Sequence, residues 1–299
     1  MSIVEINNLV KKYGDNVAVN DLSLNIDSKG VYGFLGPNGA GKSTTMNVLT
    51  GYIGATSGTV IINGYDIFKE PEEAKKNVGY LPEIPPLYQD MTVYEYLEFV
   101  SKIKKIKKEE RKACIEQSLE MTRTTEVRER LIRNLSKGYK QRVGIAQAIM
   151  GMPDLIILDE PTVGLDPKQI IEIRDLIRNL GKEHTVILSS HILTEISEVC
   201  ENIFIISQGK LVASGREEEL IEELAGENRI EAIIKGDANE IENILDKFGC
   251  KHSIETLDDE KCKAQIVTSR DIDIREGLFF ALAEKKMPLL ELKFKTKSL

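Results

Sequence analysis

The chain has 299 residues, 41% of them hydrophobic and 29% charged, with a formal net charge of −8. That is enough chain for two domains of ordinary composition, and the acidic balance argues against a nucleic-acid binder, which is usually basic. There is no N-terminal basic-plus-apolar signal, and no apolar run approaches the roughly 18 residues a spanning helix needs, so the chain is not expected to cross a membrane by itself.

In chain order, IVEINNLVKKYG and VAVNDLSLNID alternate apolar and polar residues and read as strands joined by a Gly-Asp-Asn turn. VYGFL (31–35) is a short, nearly continuous apolar strand. STTMNVLTGYI switches to helical spacing, with Met46, Leu49 and Thr50 on one side and Gly51 as the expected C-cap. GTVIINGYDI reads as a hairpin. From about residue 85 to 150 the texture is helical, and Thr92 with Glu95 forms a capping box at the head of VYEYLEFVSKI. LIILD (155–159) is a buried strand of the parallel-sheet kind. IIEIRDLIRNLG is an amphipathic helix, and TVILSS and NIFIIS are strands. Strands alternating with helices imply an α/β core with a parallel sheet.

An acidic helical stretch, EEELIEELAGEN, reads as a linker. The remainder reads β-α-β-β-α-β, the order of a small ferredoxin-like module. The expected division is therefore a first domain over 1–225, with a helical subdomain near 85–150, and a small α+β domain over 226–299. Cys114, Cys200, Cys250 and Cys262 are scattered, with no CxxC pair, and are expected to be free thiols in a reducing compartment. His184, His191 and His252 do not form a ligand cluster.

GPNGAGKST (36–44) follows the VYGFL strand directly. Gly36-x-x-x-x-Gly41-Lys42-Ser43 is the phosphate-loop pattern in its required context, strand before and helix after. Glycines let successive backbone N–H groups turn inward around phosphate oxygens, and the helix N-terminus adds partial positive charge. The expected nucleotide contacts are Gly36, Asn38, Gly39, Gly41, Lys42, Ser43 and Thr44. Lys42 would reach the terminal phosphates and Ser43 would ligate Mg²⁺. Asp159, ending the LIILD strand, would orient water on that ion. Glu160 would hold or deprotonate the attacking water.

LSKGYKQR (135–142) shortly before LIILDEPTVGLDP resembles the nucleotide-binding subunit of ATP-binding cassette (ABC) transporters. The likeness covers roughly residues 1–225. It implies a P-loop ABC ATPase core with an antiparallel β subdomain and a helical insert, followed here by the small ferredoxin-like α+β domain. By the same likeness Tyr13 stacks on adenine, Ser136 and Gly138 contact the γ-phosphate of the opposite subunit, and His191 contacts the γ-phosphate. Asp166 lies in the turn that links the two sites, and Glu83 stands where the family usually has a glutamine ligand of Mg²⁺. Two departures are plain: Glu83 adds negative charge beside phosphates, and LSKGY replaces LSGGQ. Lys137 could add charge near the phosphates or face solvent.

The resemblance implies ATP and Mg²⁺ as cofactors and a head-to-tail homodimer or heterodimer with two shared sites. It also implies a separate transmembrane permease that would hold the chain on the cytoplasmic face. The GYLPE and LSKGY stretches point to an exporter-type subgroup serving drug, antibiotic, peptide or lipid export, in which the tail usually continues past Ser298-Leu299, so a shortened C-terminus is expected. The permease is expected near Glu83 to Val100, with Tyr88, Tyr94, Tyr96 and Phe99 as either contact or core. KIKKIKKEERK (102–112) could touch acidic headgroups or be a solvated face. The alternative is a soluble, non-transport ABC ATPase acting on a macromolecular complex.

Overall fold

The computed structural model describes residues 2–224, 227–258, 260–269 and 272–295. The expectation about Ser298-Leu299 lies outside the described residues. The chain divides into two compact units, Met1–Glu217 and Glu218–Leu299.

The first unit runs, in chain order, through β1 (Val4–Tyr13), β2 (Asn16–Ile26), β3 (Gly30–Leu35), α1 (Lys42–Leu49), β4 (Ser57–Ile62), β5 (Tyr65–Asp66), α2 (Pro71–Lys76) and β6 (Val78–Leu81). It continues with α3 (Val93–Ile103), α4 (Lys108–Met121), α5 (Lys137–Ile149), β7 (Leu155–Asp159), α6 (Pro167–Gly181), β8 (Thr185–Ser190), α7 (Leu193–Ser197), β9 (Asn202–Ser207) and β10 (Lys210–Gly215). Two sheets result. One has the order β2-β1-β4-β5 and is antiparallel; the other has the order β10-β9-β3-β8-β7-β6. In the second sheet β6, β7, β8, β3 and β9 run parallel, and β10 closes it antiparallel to β9.

Every residue of β3, β7 and β8 is buried. Their unbroken apolar runs suit central strands covered on both faces. The register sets Leu35 beside Ser190 and Asp159 beside Ser189. The carboxyl ends of three adjacent strands therefore meet at one edge, where ligands of open α/β sheets bind.

Helix α1 begins at Lys42 and buries Met46, Val48 and Leu49; its C-cap is Thr50, and Gly51 follows at φ 64°. The expected C-cap is thus shifted by one, and Thr50 caps the helix rather than sharing its apolar face. The Thr92 capping box is present: the Glu95 amide donates to Thr92 Oγ1 at 3.2 Å and the Thr92 amide to Glu95 Oε2 at 2.8 Å. Helices α3, α4 and α5 share a core of their own that includes Leu97, Ile115, Leu119, Ile132 and Val143. Tyr96 belongs to this core, Tyr94 and Phe99 are half-buried, and Tyr88 is 51% exposed. In the basic stretch 102–112, Lys102 pairs with Glu98 and Lys105 with Glu72 outside the stretch, and Lys107 pairs with Glu110 within it. Lys104 donates instead to Ala148 O at 3.1 Å and Met150 O at 2.7 Å, satisfying the end of α5.

The expected linker forms a helix, α8 (Glu217–Leu224). The second unit contains β11 (Glu227–Lys235), α9 (Ala238–Asp246), β12 (Lys251–Asp258), β13 (Lys261–Ser269), α10 (Arg275–Glu284) and β14 (Leu289–Lys295). Its four strands are antiparallel in the order β12-β13-β11-β14. Alternate residues of β11, namely Ile230, Ala232 and Ile234, join Ile241, Ile244 and Leu245 of α9 and Leu278 and Leu282 of α10 in one core. Period-two alternation selects these and leaves Ile233 on the opposite face. Among the described residues no helix is long and apolar enough to cross a membrane. All four cysteines are free thiols.

Candidate active site

The phosphate loop leaves β3 at Leu35 and enters α1 at Lys42. Two glycines are sterically required. A Cβ on Gly36 would lie 2.2 Å from the Ile206 carbonyl oxygen; one on Gly41 would lie 2.4 Å from that of Ala18, and Gly41 sits at φ 104°. Glycine lets backbone pass where no other residue fits. Lys42, 6% exposed, curls back along the loop. Its ammonium donates to Gly36 O at 2.7 Å and to Pro37 O at 3.3 Å.

The carboxylates come from the end of β7. Ser43 Oγ donates to Asp159 Oδ1 at 3.2 Å, and the Ser189 hydroxyl donates to the same oxygen. Glu160 adopts φ 49°, a left-handed conformation unusual for a residue with a side chain. Its amide donates to Ser189 Oγ at 3.0 Å. Ser189 thus bridges both acids, and the left-handed turn aims Glu160 back over the loop. There its carboxylate, in a residue only 7% exposed, lies 3.6 Å from the Lys42 ammonium and 3.0 Å from His191 Nδ1. A carboxylate only accepts, so Nδ1 carries the hydrogen of that contact.

A cavity of about 700 Å³ is lined by Tyr13, Asn16, Val17, Ala18, Asn38, Gly39, Gly41, Lys42, Ser43, Thr44, Glu83, Glu160, Val163, His191 and Gln208. It brings together most of the expected site. Tyr13 stands at the end of β1, 50% exposed, with the Lys11 ammonium 5.1 Å from its ring centroid. The backbone cradle suits phosphates. The oxygen donors of Ser43 and Asp159 suit a hard cation, which keeps other positions for water and phosphate oxygens.

Ser136 and Gly138 are not brought to this cavity. They line a second cavity of about 740 Å³, with Tyr139, Arg142, Asp166 and Gln169 among its walls, and the two cavities share no lining residue. Ser136 is the N-cap of α5, accepting the Tyr139 amide at 3.4 Å. A Cβ on Gly138 would lie 2.7 Å from the Gln169 side chain, so this glycine lets α5 approach α6. Tyr139 donates its hydroxyl to Glu126, and Arg142 pairs with Glu172. The Lys137 ammonium lies against Gly164 of its own chain: a Cβ there would lie 2.1 Å from it.

Sequence reasoning missed Ser189, Ser190, Thr162 and Glu195. All four are buried and hydrogen-bonded, Ser189 and Ser190 at the end of β8, Thr162 in the turn after β7 and Glu195 in α7. The signal available was a pair of hydroxyls closing an otherwise apolar buried strand, TVILSS.

A glycine cradle at the junction of β3 with a helix, with two acids at the end of the parallel strand β7 on the far side of β8, defines a P-loop nucleoside triphosphatase. The ABC transporter family profile matches residues 19–163. Over 213 residues the chain is 42% identical to the bacitracin transport ATP-binding protein BcrA of Bacillus licheniformis, covering 71% of this chain and 69% of that one. It is 35% identical to the linearmycin resistance ATP-binding protein LnrL of Bacillus subtilis, covering 78% of this chain and 76% of that one. A solved ATP-binding subunit of an ABC transporter superposes with TM-score 0.67 at 29% identity, over 74% of this chain and 93% of that one. The ADP conformation of the cassette MJ1267 superposes with TM-score 0.66 at 28% identity, over 73% and 92%. The chain belongs to the ABC transporter family. It is an ATP-binding ABC ATPase with the fold of that family's ATPase subunits.

Proposed function

We propose that this ATPase is the ATP-hydrolysing subunit of a membrane exporter, working as a head-to-tail dimer with two shared ATP sites. The observation that carries the proposal is the separation of the two cavities. The serine-capped end of α5 offers hydroxyl and amide donors suited to an anion, yet it lines a cavity that shares no residue with that of the phosphate loop of its own chain. Two copies related by a twofold axis place each serine cap against the other's nucleotide.

In this reading Tyr13 covers the adenine. The Gly36–Thr44 loop and Lys42 hold the phosphates, Lys42 exchanging its Glu160 contact for a phosphate oxygen. Ser43, Asp159 and Glu83 would hold Mg²⁺, which would supply positive charge to neutralise the phosphates. Glu160 takes the proton of the attacking water, and His191, donating from Nδ1, fixes the carboxylate while reaching the γ-phosphate. Ser136 and Gly138 close the opposite face of the partner's γ-phosphate, so the dimer is held while that group is present and loosens when it leaves. Lys137, lying against Gly164 of its own chain, would tie this segment to Asp166.

Export requires a spanning partner. The loop after β6 offers Ile84, 82% exposed, and Tyr88 beside Glu83 for that contact, and this attachment would place the chain on the cytoplasmic face of the membrane. Residues 1–225 would act as the ATPase domain, and 226–299 as an accessory domain. The names of BcrA and LnrL point to an antibiotic as cargo. Affinity purification from native membranes tests the transport reading: recovery with a polytopic membrane protein supports it, and recovery only with a soluble macromolecular complex overturns it. Scattering with a non-cleavable ATP analogue tests the dimer, since a lone chain at saturating nucleotide contradicts it.

A further inference from the structure

Glu195 has no part in the chemistry above, yet its side chain is a carboxylate only 7% exposed in the scaffold of the site. It lies in α7, four residues beyond His191. Its Oε2 accepts two hydrogen bonds, from the Thr162 hydroxyl at 2.7 Å and from the Ser190 hydroxyl at 2.9 Å. Both donors are buried. Thr162 stands two residues after Glu160; Ser190 immediately precedes His191. Ser190 Oγ also accepts the Ile192 amide at 3.1 Å, so this one hydroxyl braces the chain on both sides of His191.

Burying a carboxylate is costly unless it is satisfied. Among the described residues Glu195 forms no salt bridge, and what satisfies it is the pair of hydroxyls from the two turns that carry Glu160 and His191. We propose that Glu195 is a positioning residue: through a single oxygen it ties the His191 turn to the Glu160 turn and sets the contact between those side chains. The proposal rests on the catalytic reading of Glu160 and His191. A misplacement of roughly 1 Å at a reacting group costs on the order of 100-fold in rate, so the tie matters although Glu195 touches no substrate.

The test is steady-state ATP hydrolysis by the full chain, with affinity for a fluorescent ATP analogue and the melting temperature measured in parallel. Glu195→Ala should lower kcat about 10- to 100-fold while KM stays within about two-fold. Glu195→Gln should recover most of the lost rate, because its amide oxygen accepts the same two hydroxyls. Thr162→Val, similar in shape but lacking the donor, should lose part of the rate, and it carries the test if Glu195→Ala fails to fold. In a His191→Ala background, Glu195→Ala should add less than about two-fold, since the group being positioned is gone. An unchanged kcat in a folded Glu195→Ala variant overturns the proposal. So does a Glu195→Gln variant as slow as Glu195→Ala, or a loss confined to KM. Full turnover in His191→Ala or Glu160→Gln would remove the catalytic reading itself, and the proposal with it, a result separate from anything Glu195 variants do.

Discussion

His191 and Glu160 are in direct contact: the imidazole Nδ1 lies 3.1 and 3.0 Å from the two carboxylate oxygens, and the Lys42 ammonium lies 3.6 Å from Oε1. The carboxylate is thus in contact with both a hydrogen-bond donor and a cation, and neither partner adjoins it in sequence.

Replacing the carboxylate by an amide keeps the shape and removes the proposed base. Glu160→Gln should reduce turnover by at least about 100-fold, within the range general-base catalysis contributes, while ATP affinity stays within a few-fold. Single-turnover hydrolysis alongside equilibrium nucleotide binding checks this. Unchanged hydrolysis would remove Glu160 as the base.

Lys42→Ala deletes the only side-chain ammonium among the residues lining the phosphate-loop cavity. ATP affinity should drop by more than about 10-fold, since a charge-assisted contact to phosphate contributes upwards of roughly 1.5 kcal/mol. Isothermal titration with ATP and with adenosine separates the effects: only ATP binding should suffer.

Ser136→Arg should behave in the opposite way. Ser136 lies outside the phosphate-loop cavity of its own chain, so ATP binding should be spared while hydrolysis and nucleotide-dependent dimerisation are lost. Mixing this variant with Lys42→Ala should restore one working site per heterodimer. Normal hydrolysis by Ser136→Arg would contradict a site shared across two chains.

Gly36→Ala tests the cradle without touching charge. The added methyl would meet the Ile206 carbonyl at 2.2 Å, and overpacking of this kind costs about 1–3 kcal/mol. The melting temperature should fall and ATP affinity should drop with it, because the loop can only move away from β9.

Burial, with a smaller contribution from Glu201, pushes the Cys200 thiol well above its ordinary pKa. At pH 8 iodoacetamide should therefore label it slowly in the native protein and readily in urea, as mass spectrometry of the peptide would show. The raised value also has a stability consequence. The benefit is fully present below the unfolded thiol's pKa, near 9. Above that it declines as the unfolded thiol ionises and the native one stays protonated, by about 1.4 kcal/mol per pH unit for one group.

Much of the core was legible along the chain because its causes are local. The phosphate loop needs glycines at fixed offsets between a buried strand and a helix, and Gly36, Gly41 and Lys42 carry that requirement within nine residues. LIILD and TVILSS announce central parallel strands by their short apolar runs, LIIL and VIL, and the Thr92–Glu95 box is a contact three residues long. Asp159 and Glu160 could be placed at a strand end for the same reason.

What only the tertiary structure decided is which distant groups meet. The order β3-β8-β7 seats Ser189 beside Asp159, lets Ser190 and Thr162 converge on Glu195, and brings His191 to Glu160 across 31 residues. It also sets Ser136 in a cavity apart from the phosphate loop and packs Lys137 against Gly164. Strand order is chosen by the sum of many weak packing contacts over the whole sheet, and no short stretch of residues encodes it. The chemistry of each element was therefore readable alone, while its partners were settled only when the sheet assembled.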